Sequence, residues 1–481
     1  MRMGLKGIVA GALAAAALAQ PASAGEQKLG DYLAGRAAQR QNDWVAASSA
    51  MTRALSVAPP DSDLRHNTLL LAIAAGDIAT AARIAATTPP GSTDSPIASL
   101  TLAVEKLGKG DVAGASKATD AMPSAGVTHL ARPLLAARFA AARGDLRAAR
   151  AALDPMFEID PTKDLGELEA ARLDDKLSPV RAIARGLSEY AGFLAAQEQL
   201  DPSLLLSRLS LHLVPNEPSA LVRAAEALAR QGRPAEALAL FDKVPAKDFW
   251  ATTASRGAVD CLHALKRSGE ARARAEAAVK ANPKDVDARL KLGDLLRKQK
   301  SYAEAAAAYD TALAMLPADS PRRWIVLYAR GASRERIGDW DAAEADLLQS
   351  LSLKPETPTL LNFIGFAWAE RGMNLTRARE LLERAVKLAP DDGAIADSLG
   401  WTLYRQGEFG GAVLELERAA ALQPSDGVIN DHLGDAYWRV GRTREAEFQW
   451  VRAVHLATDP VTARSIEAKL QQGLAAADLS R

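Results

Sequence analysis

A glycine followed five residues later by an alanine recurs along this chain at a fixed interval, and that interval constrains the fold more than any other feature. The pairs Gly76/Ala81, Gly110/Ala115 and Gly144/Ala149 stand 34 residues apart, as do Gly407/Ala412 and Gly441/Ala446, with Gly232/Ala237 and Gly338/Ala343 between them. A second ladder of prolines, Pro283, Pro317, Pro355, Pro390 and Pro424, keeps close to the same period, interrupted by the insertion ADSPRR at 318–323. Self-similar units of this length cannot bury an apolar face alone. They do so by stacking on their neighbours, so a solenoid is expected.

Each unit reads as a helical hairpin. The first helix carries apolar residues at i, i+3, i+4 and i+7 with a glycine set inside the pattern: Gly293 after Leu292, Gly365 after Ile364, Gly400 after Leu399 and Gly434 after Leu433. Glycine costs about 1 kcal/mol against alanine inside a helix, so its recurrence there implies that two helices approach closely. The turn then presents an aromatic, Trp44, Tyr302, Trp340 or Phe409, three residues before the alanine of the second helix. That helix runs through residues such as Tyr309 and Ala312, or Leu416 and Ala419, and stops before the proline, which cannot continue it.

Composition agrees with an all-α chain. Apolar residues make up 48% but aromatics only 5%, so alanine and leucine carry the core and the intrinsic preference is helical. Lys+Arg and Asp+Glu both number 59 and no basic block stands out, which argues against a nucleic-acid partner. The first residues carry Arg2 and Lys6, an apolar stretch from Gly7 to Ala19, and the small residues Ala22, Ser23 and Ala24, the pattern of a secretory signal peptide over 1–24. Its removal would leave 57 basic and 59 acidic residues, a net charge of −2. No later stretch is long and apolar enough for a membrane span, so a soluble periplasmic protein is expected. The single cysteine, Cys261, excludes an intramolecular disulfide and an N-terminal lipid anchor. In the apolar run AVDCLHAL it reads as a buried structural thiol.

These units resemble the tetratricopeptide repeat, a 34-residue helix-turn-helix with small residues where its helices touch. The matching segments are 28–61, 62–95, 96–129, 130–163, 218–249, 286–319, 324–357, 358–392, 393–426 and 427–459. The resemblance implies a right-handed superhelical solenoid. Its expected organisation is an N-terminal array over 25–163, divergent hairpins over 164–285, a consensus array over 286–459, and a capping helix and tail over 460–481, with helix from Val461 to Ala477.

No catalytic signature accompanies this pattern. None of His66, His129, His212, His263, His432 and His455 precedes a glutamate, there is no GxSxG, and Gly108-Lys109 lacks the upstream glycine of a P-loop. The chain is therefore expected to be non-enzymatic, with no cofactor and no metal. His432 and Asp435 lie on neighbouring positions of one helix face, but the equivalents of His432 in earlier units are Ser398 and Phe363. No ligand set repeats, and His432 reads as a surface histidine.

In tetratricopeptide proteins the peptide-binding groove is lined by the first helix of each unit. Carried onto this sequence, that face comprises Asn362 and Phe366, then Asp397, Trp401 and Tyr404, then Asp431, Asp435 and Trp438, preceded by Leu290, Asp294, Tyr328 and Ala332. Members that clamp a terminal carboxylate use lysine and asparagine at these places. Asp397, Asp431 and Asp435 would repel a carboxylate, so a cationic or apolar peptide anchored on Phe366, Trp401, Tyr404 and Trp438 is expected. Residues 358–456 are similar to a family of proteobacterial envelope repeat proteins, typified by a lipoprotein that binds and activates a periplasmic carboxyl-terminal processing protease. That resemblance implies a periplasmic scaffold whose partner is such a protease or its substrates. An accessory of outer-membrane or exopolysaccharide biogenesis is the other function compatible with this reading.

Overall fold

The computed structural model describes residues 24–41, 43–56, 62–157 and 177–474, with four scattered positions between 166 and 173. Residues 1–23 of the expected signal peptide and residues 475–481 of the expected tail lie outside the described residues. Among the described residues there are 25 helices and no strand, an all-α chain as the sequence implies.

Two compact units divide the chain, the first ending at Ala271 and the second beginning at Arg272. The first holds α1 (Ala24–Arg40), α2 (Trp44–Ser56), α3 (Ser62–Ala75), α4 (Ile78–Ala85), α5 (Ser95–Gly108), α6 (Val112–Asp120), α7 (Thr128–Ala142), α8 (Leu146–Phe157), α9 (Pro179–Ala196), α10 (Leu200–Leu213), α11 (Pro218–Arg230), α12 (Pro234–Phe241) and α13 (Ala251–Ala264). The boundary falls within α14 (Ser268–Ala281). The second holds α15 (Val286–Lys298), α16 (Tyr302–Met315), α17 (Arg323–Arg336), α18 (Trp340–Leu353), α19 (Pro358–Glu370), α20 (Leu375–Leu388), α21 (Gly393–Arg405), α22 (Phe409–Leu422), α23 (Gly427–Arg439), α24 (Thr443–Leu456) and α25 (Pro460–Gln472). The capping helix thus ends at Gln472, short of the expected Ala477, because Gly473 leaves the helix with φ +72°.

The hairpin logic of the sequence is visible at the contacts. A Cβ on Gly293 would lie 2.7 Å from the Tyr309 ring, one on Gly400 2.6 Å from Leu416, and one on Gly434 2.5 Å from the Trp450 ring. Gly331 and Gly365 meet Leu347 and Leu382 in the same way. One helix therefore contributes a notch and the other a large side chain that fills it. The alanines that close each turn, Ala305, Ala343, Ala378, Ala412 and Ala446, are fully buried. The turn itself needs a left-handed residue at the end of the first helix: Gly76, Gly110, Gly144, Gly338, Gly407 and Gly441 all have φ between +81° and +83°. Lys266 at φ +60° and Lys300 at +63° take that conformation where no glycine is available.

The prolines have a role beyond stopping helices. Arg384, Arg418 and Arg452, each 34 residues after the last, donate to the carbonyls of Pro355, Pro390 and Pro424 at 2.8 Å. Each guanidinium ties a second helix to the loop that ended the preceding unit, satisfying a carbonyl that the helix end leaves open.

The divergent stretch has a different fate from the consensus units. In α10, Ser203, Leu204, Leu205, Leu206, Ser207, Leu209, Ser210 and Leu213 are all buried, so the helix is enclosed on every side rather than along one stripe. It packs on α9 and also on α3 and α5. His212 pairs with Glu105 at 3.0 Å and lies over Gly108, where a Cβ would come within 2.8 Å of its Nε2. Ser210 donates to the carbonyl of Ala184 at 2.6 Å, so even the polar residues of α10 are spent inside the fold. Residues 179–213 lie within the first compact unit, packed on its N-terminal hairpins.

Two substitutions separate the roles of the glycines. Gly400→Val should lower stability by about 3 kcal/mol or more, because the added carbons meet Leu416 and cannot be accommodated without overpacking. Gly407→Ala, with open space around it but φ +82°, should cost only about 1 kcal/mol. Urea denaturation of both variants measures the difference, and equal losses would contradict the notch assignment.

Candidate protein-interaction face

The residues expected on the groove lie in α19, α21 and α23, and the structure divides them sharply. Asn362, Phe366, Trp401, Asp431 and Trp438 are half-buried, whereas Asp397, Tyr404 and Asp435 are buried. Leu399 and Leu433, the expected core residues, are buried in the cluster that Trp401 and Trp438 also flank. The aromatic ladder is thus partly a wall of the core and partly a surface.

The acidic residues are not free to receive a cationic partner. Asp397 accepts from His432 Nδ1 at 2.9 Å and 3.1 Å. Lys469 of α25 reaches back to Asp431 at 2.8 Å and to both oxygens of Asp435 at 2.8 Å, and Trp450 Nε1 donates to Asp435 at 2.9 Å. Three carboxylates are met by two cations of the same chain, leaving a residual charge near −1. The sequence reading of His432 as a surface residue is corrected here. Its imidazole is 12% exposed, stacks on Trp401 with centroids 4.2 Å apart, and is wedged against Asp397.

The aromatic side is equally well braced. Trp401 stacks on Tyr404 at 4.8 Å, nearly parallel, and donates from Nε1 to Glu370 at 2.5 Å. Arg439 lies 4.0 Å over the Phe409 ring, which meets Tyr404 edge-on. Trp438 leans on Trp450 and is covered at one edge by Gly473, where a Cβ would come within 2.2 Å of the indole. What stays open is part of the surface of Phe366, Trp401 and Trp438, with the two indoles held in place by their neighbours.

Register explains what the sequence reading missed. Phe366, Trp401, Asp435 and Lys469 occupy the same position in successive first helices, Lys469 being 34 residues after Asp435. The helix α25 therefore lies in the register of a first helix, and its cation sits where α19 and α21 place a ring. The same register runs back through Gly192, Glu226 and Asp260, each 34 residues from the next. There, between α9, α11 and α13, a cleft of about 490 Å³ is floored by Gly192, Ala195 and Ala229 and edged by Arg223 and Glu226. Arg223 pairs with Glu226 at 2.9 Å and lies 4.8 Å over Trp250. The cleft thus presents Gly192, Glu226 and Asp260 at the register where α19 and α21 place rings. The loss of consensus through 164–217 hid it from periodicity.

The electrostatics of the cluster carry a pH signature. Burial alone would lower the His432 pKa, but Asp397, with Asp431 and Asp435 behind it, outweighs burial and pushes it up to about 9 from 6.5. Burial raises Asp435 to about 6 from 3.8 against the opposing pull of Lys469. Both groups hold their protons more tightly when folded. The contribution of His432 is complete below pH 6.5 and is lost as pH rises through about 9. The midpoint of unfolding of the second unit should therefore fall across that interval, and Asp397→Asn should flatten the fall. A variant curve parallel to the wild type would contradict the pair, and thermal scans read by circular dichroism supply the test.

Among the described residues no cluster of three or more histidine, cysteine or acidic side chains is arranged to hold a metal ion, and no helix is long and apolar enough to cross a membrane. Cys261 is buried.

Models of the tetratricopeptide repeat match residues 182–249, 264–321, 328–392 and 371–427. TPR repeat-containing protein PA4667 of Pseudomonas aeruginosa is 40% identical over 87 residues, a match that spans 18% of this chain and only 15% of that protein. Among solved structures, the APC/C hetero-tetramer Cut9-Hcn1 aligns with 93% of this chain and 96% of that chain at 14% identity and a TM-score of 0.45. YrrB, described as a TPR protein with an unusual peptide-binding site, aligns with 40% of this chain and 97% of its own at 20% identity and a TM-score of 0.32. MamA from Desulfovibrio magneticus RS-1 aligns with 36% of this chain and 94% of its own at 19% identity and a TM-score of 0.32. The family matches fall on helices between α9 and α22, leaving most of α13 outside them, and the segments they cover, less than half of the chain, are similar to tetratricopeptide repeats.

Proposed function

We propose that this chain is a non-enzymatic scaffold of the periplasm that holds an apolar segment of a partner protein against α19, α21 and α23. The observation that carries this reading is the set of three half-buried rings, Phe366 and the braced Trp401 and Trp438, on the first helices of successive units. Rigid aromatics with part of their surface in solvent are what binding hot spots are made of, since little side-chain entropy is lost on contact. A cationic segment is less favoured than the sequence suggested, because Lys469 and His432 already answer the carboxylates. The signal-peptide pattern supports export. The similarity of residues 358–456 to envelope repeat proteins supports a carboxyl-terminal processing protease, or its substrates, as the partner class.

The test is affinity capture with tagged full-length protein from envelope extracts, comparing wild type with Trp401→Ala and Phe366→Ala. Each variant should keep its fold and lose about 30-fold in partner affinity, the effect of removing one aromatic anchor. Recovery of the same partner in equal yield by all three proteins would overturn the assignment of the face. Recovery of porin or polysaccharide-synthase components in place of a protease would replace the partner class with envelope biogenesis.

A further inference from the structure

The helix α25 closes the second unit with little apolar burial. Ile466 is the one buried residue of its thirteen, fewer than in any helix from α15 to α24. Leu470 is partly buried, and Leu474 is buried just beyond the helix end. The positions that hold the notch in α23, Leu433, Gly434 and Tyr437, become Glu467, Ala468 and Gln471 in α25, and all three are exposed. Only Ala457, Thr458 and Asp459 join it to α24, on which it packs.

Charge fixes its register instead. Lys469 Nζ donates to Asp431 Oδ1 and to both Asp435 oxygens, each at 2.8 Å, so the three N–H groups of one ammonium meet three carboxylate oxygens. The Lys469 side chain is only 19% exposed, and Gly473, one turn further on, lies against the Trp438 indole. The helix thus covers an acidic pair and one edge of a ring of the face formed by Phe366, Trp401 and Trp438. A buried ion pair contributes position more than stability, because desolvation offsets most of its attraction. The same contact made by another chain can therefore replace it at little cost.

We propose that α25 is an autoinhibitory self-ligand, standing in the place of a partner helix that presents a lysine with apolar residues three before it and one after it, as Ile466 and Leu470 flank Lys469. While α25 is seated, Asp431 and Asp435 are answered and the face takes an apolar segment only. When α25 swings out on its three-residue hinge, the two carboxylates and the covered edge of Trp438 join the face. This regulation rests on the reading of α19, α21 and α23 as a binding face.

The experiment measures the fluorescence anisotropy of a labelled synthetic peptide of residues 458–474 titrated with the full chain. The tethered α25 competes at a roughly millimolar effective concentration, so wild type should bind the peptide weakly. A chain carrying Ile466→Ala and Lys469→Ala, which loosens α25, should bind it at least about tenfold tighter, and norleucine in place of the peptide's lysine should remove that gain. If the double variant fails to fold, amide hydrogen exchange of the wild type decides alone. The amides of α25 should then exchange at least about tenfold faster than those of α23, with α23 and α24 still protected. No binding to the folded double variant, equal binding of the lysine and norleucine peptides, or exchange of α25 in step with α23 would overturn the proposal. No partner protein enters these measurements, so their failure leaves the face around Trp401 standing, and failure of the affinity capture is read separately.

Discussion

The close approach of two helices at a glycine is the contact on which the rest of this molecule depends. Where Gly293, Gly365, Gly400 and Gly434 stand, the backbone of the first helix comes within reach of a large side chain of the second, Tyr309, Leu382, Leu416 or Trp450. This contact fixes the hairpin. The left-handed turn residue and the buried alanine then fix the entry into the second helix, and the arginine-to-proline-carbonyl ladder fixes one unit on the next. Stability in such an array is a sum of local terms, so a single hairpin can vary without dismantling its neighbours.

That tolerance is what the first unit exploits. The helix α10 has given up a polar face and is buried against α3 and α5, the helices whose inner face would otherwise be open. In the second unit the inner face is held instead by ionic and aromatic pairs: Asp397 with His432, Asp431 and Asp435 with Lys469, Trp401 with Tyr404 and Glu370. One repeat pattern therefore yields two surfaces of different character. In the first unit the chain is its own occupant over part of the groove, and in the second it neutralises charge while leaving ring surface open.

The hairpins were legible in the sequence because glycine, alanine and proline occupy positions that strongly favour them, and those positions recur. Leu399 and Leu433 were legible as core for the same reason. The site was legible in register but not in state. Helical periodicity places Asp397, Asp431 and Asp435 on the inner face, yet it cannot show that Lys469, one period beyond Asp435, returns to Asp431 and Asp435. His432 was misread because its partner, Asp397, lies 35 residues away and only the stacking of units brings the two together. The buried role of α10 was hidden for a related reason. A helix that buries serines as well as leucines departs from the repeat consensus, and the departure reads as lost pattern rather than as a gained contact.

The central claim is that one repeat pattern has been used in opposite ways in the two units, closed by the chain itself in the first and left open at its rings in the second. Amide hydrogen exchange across α10 tests this most directly, because a helix enclosed on every side opens only when its unit unfolds. The account predicts that the amides of Leu204 to Leu213 exchange as slowly as those of α11 and more slowly than those of α8, which is exposed along its outer face. Exchange of α10 as fast as α8, with α11 still protected, would contradict it.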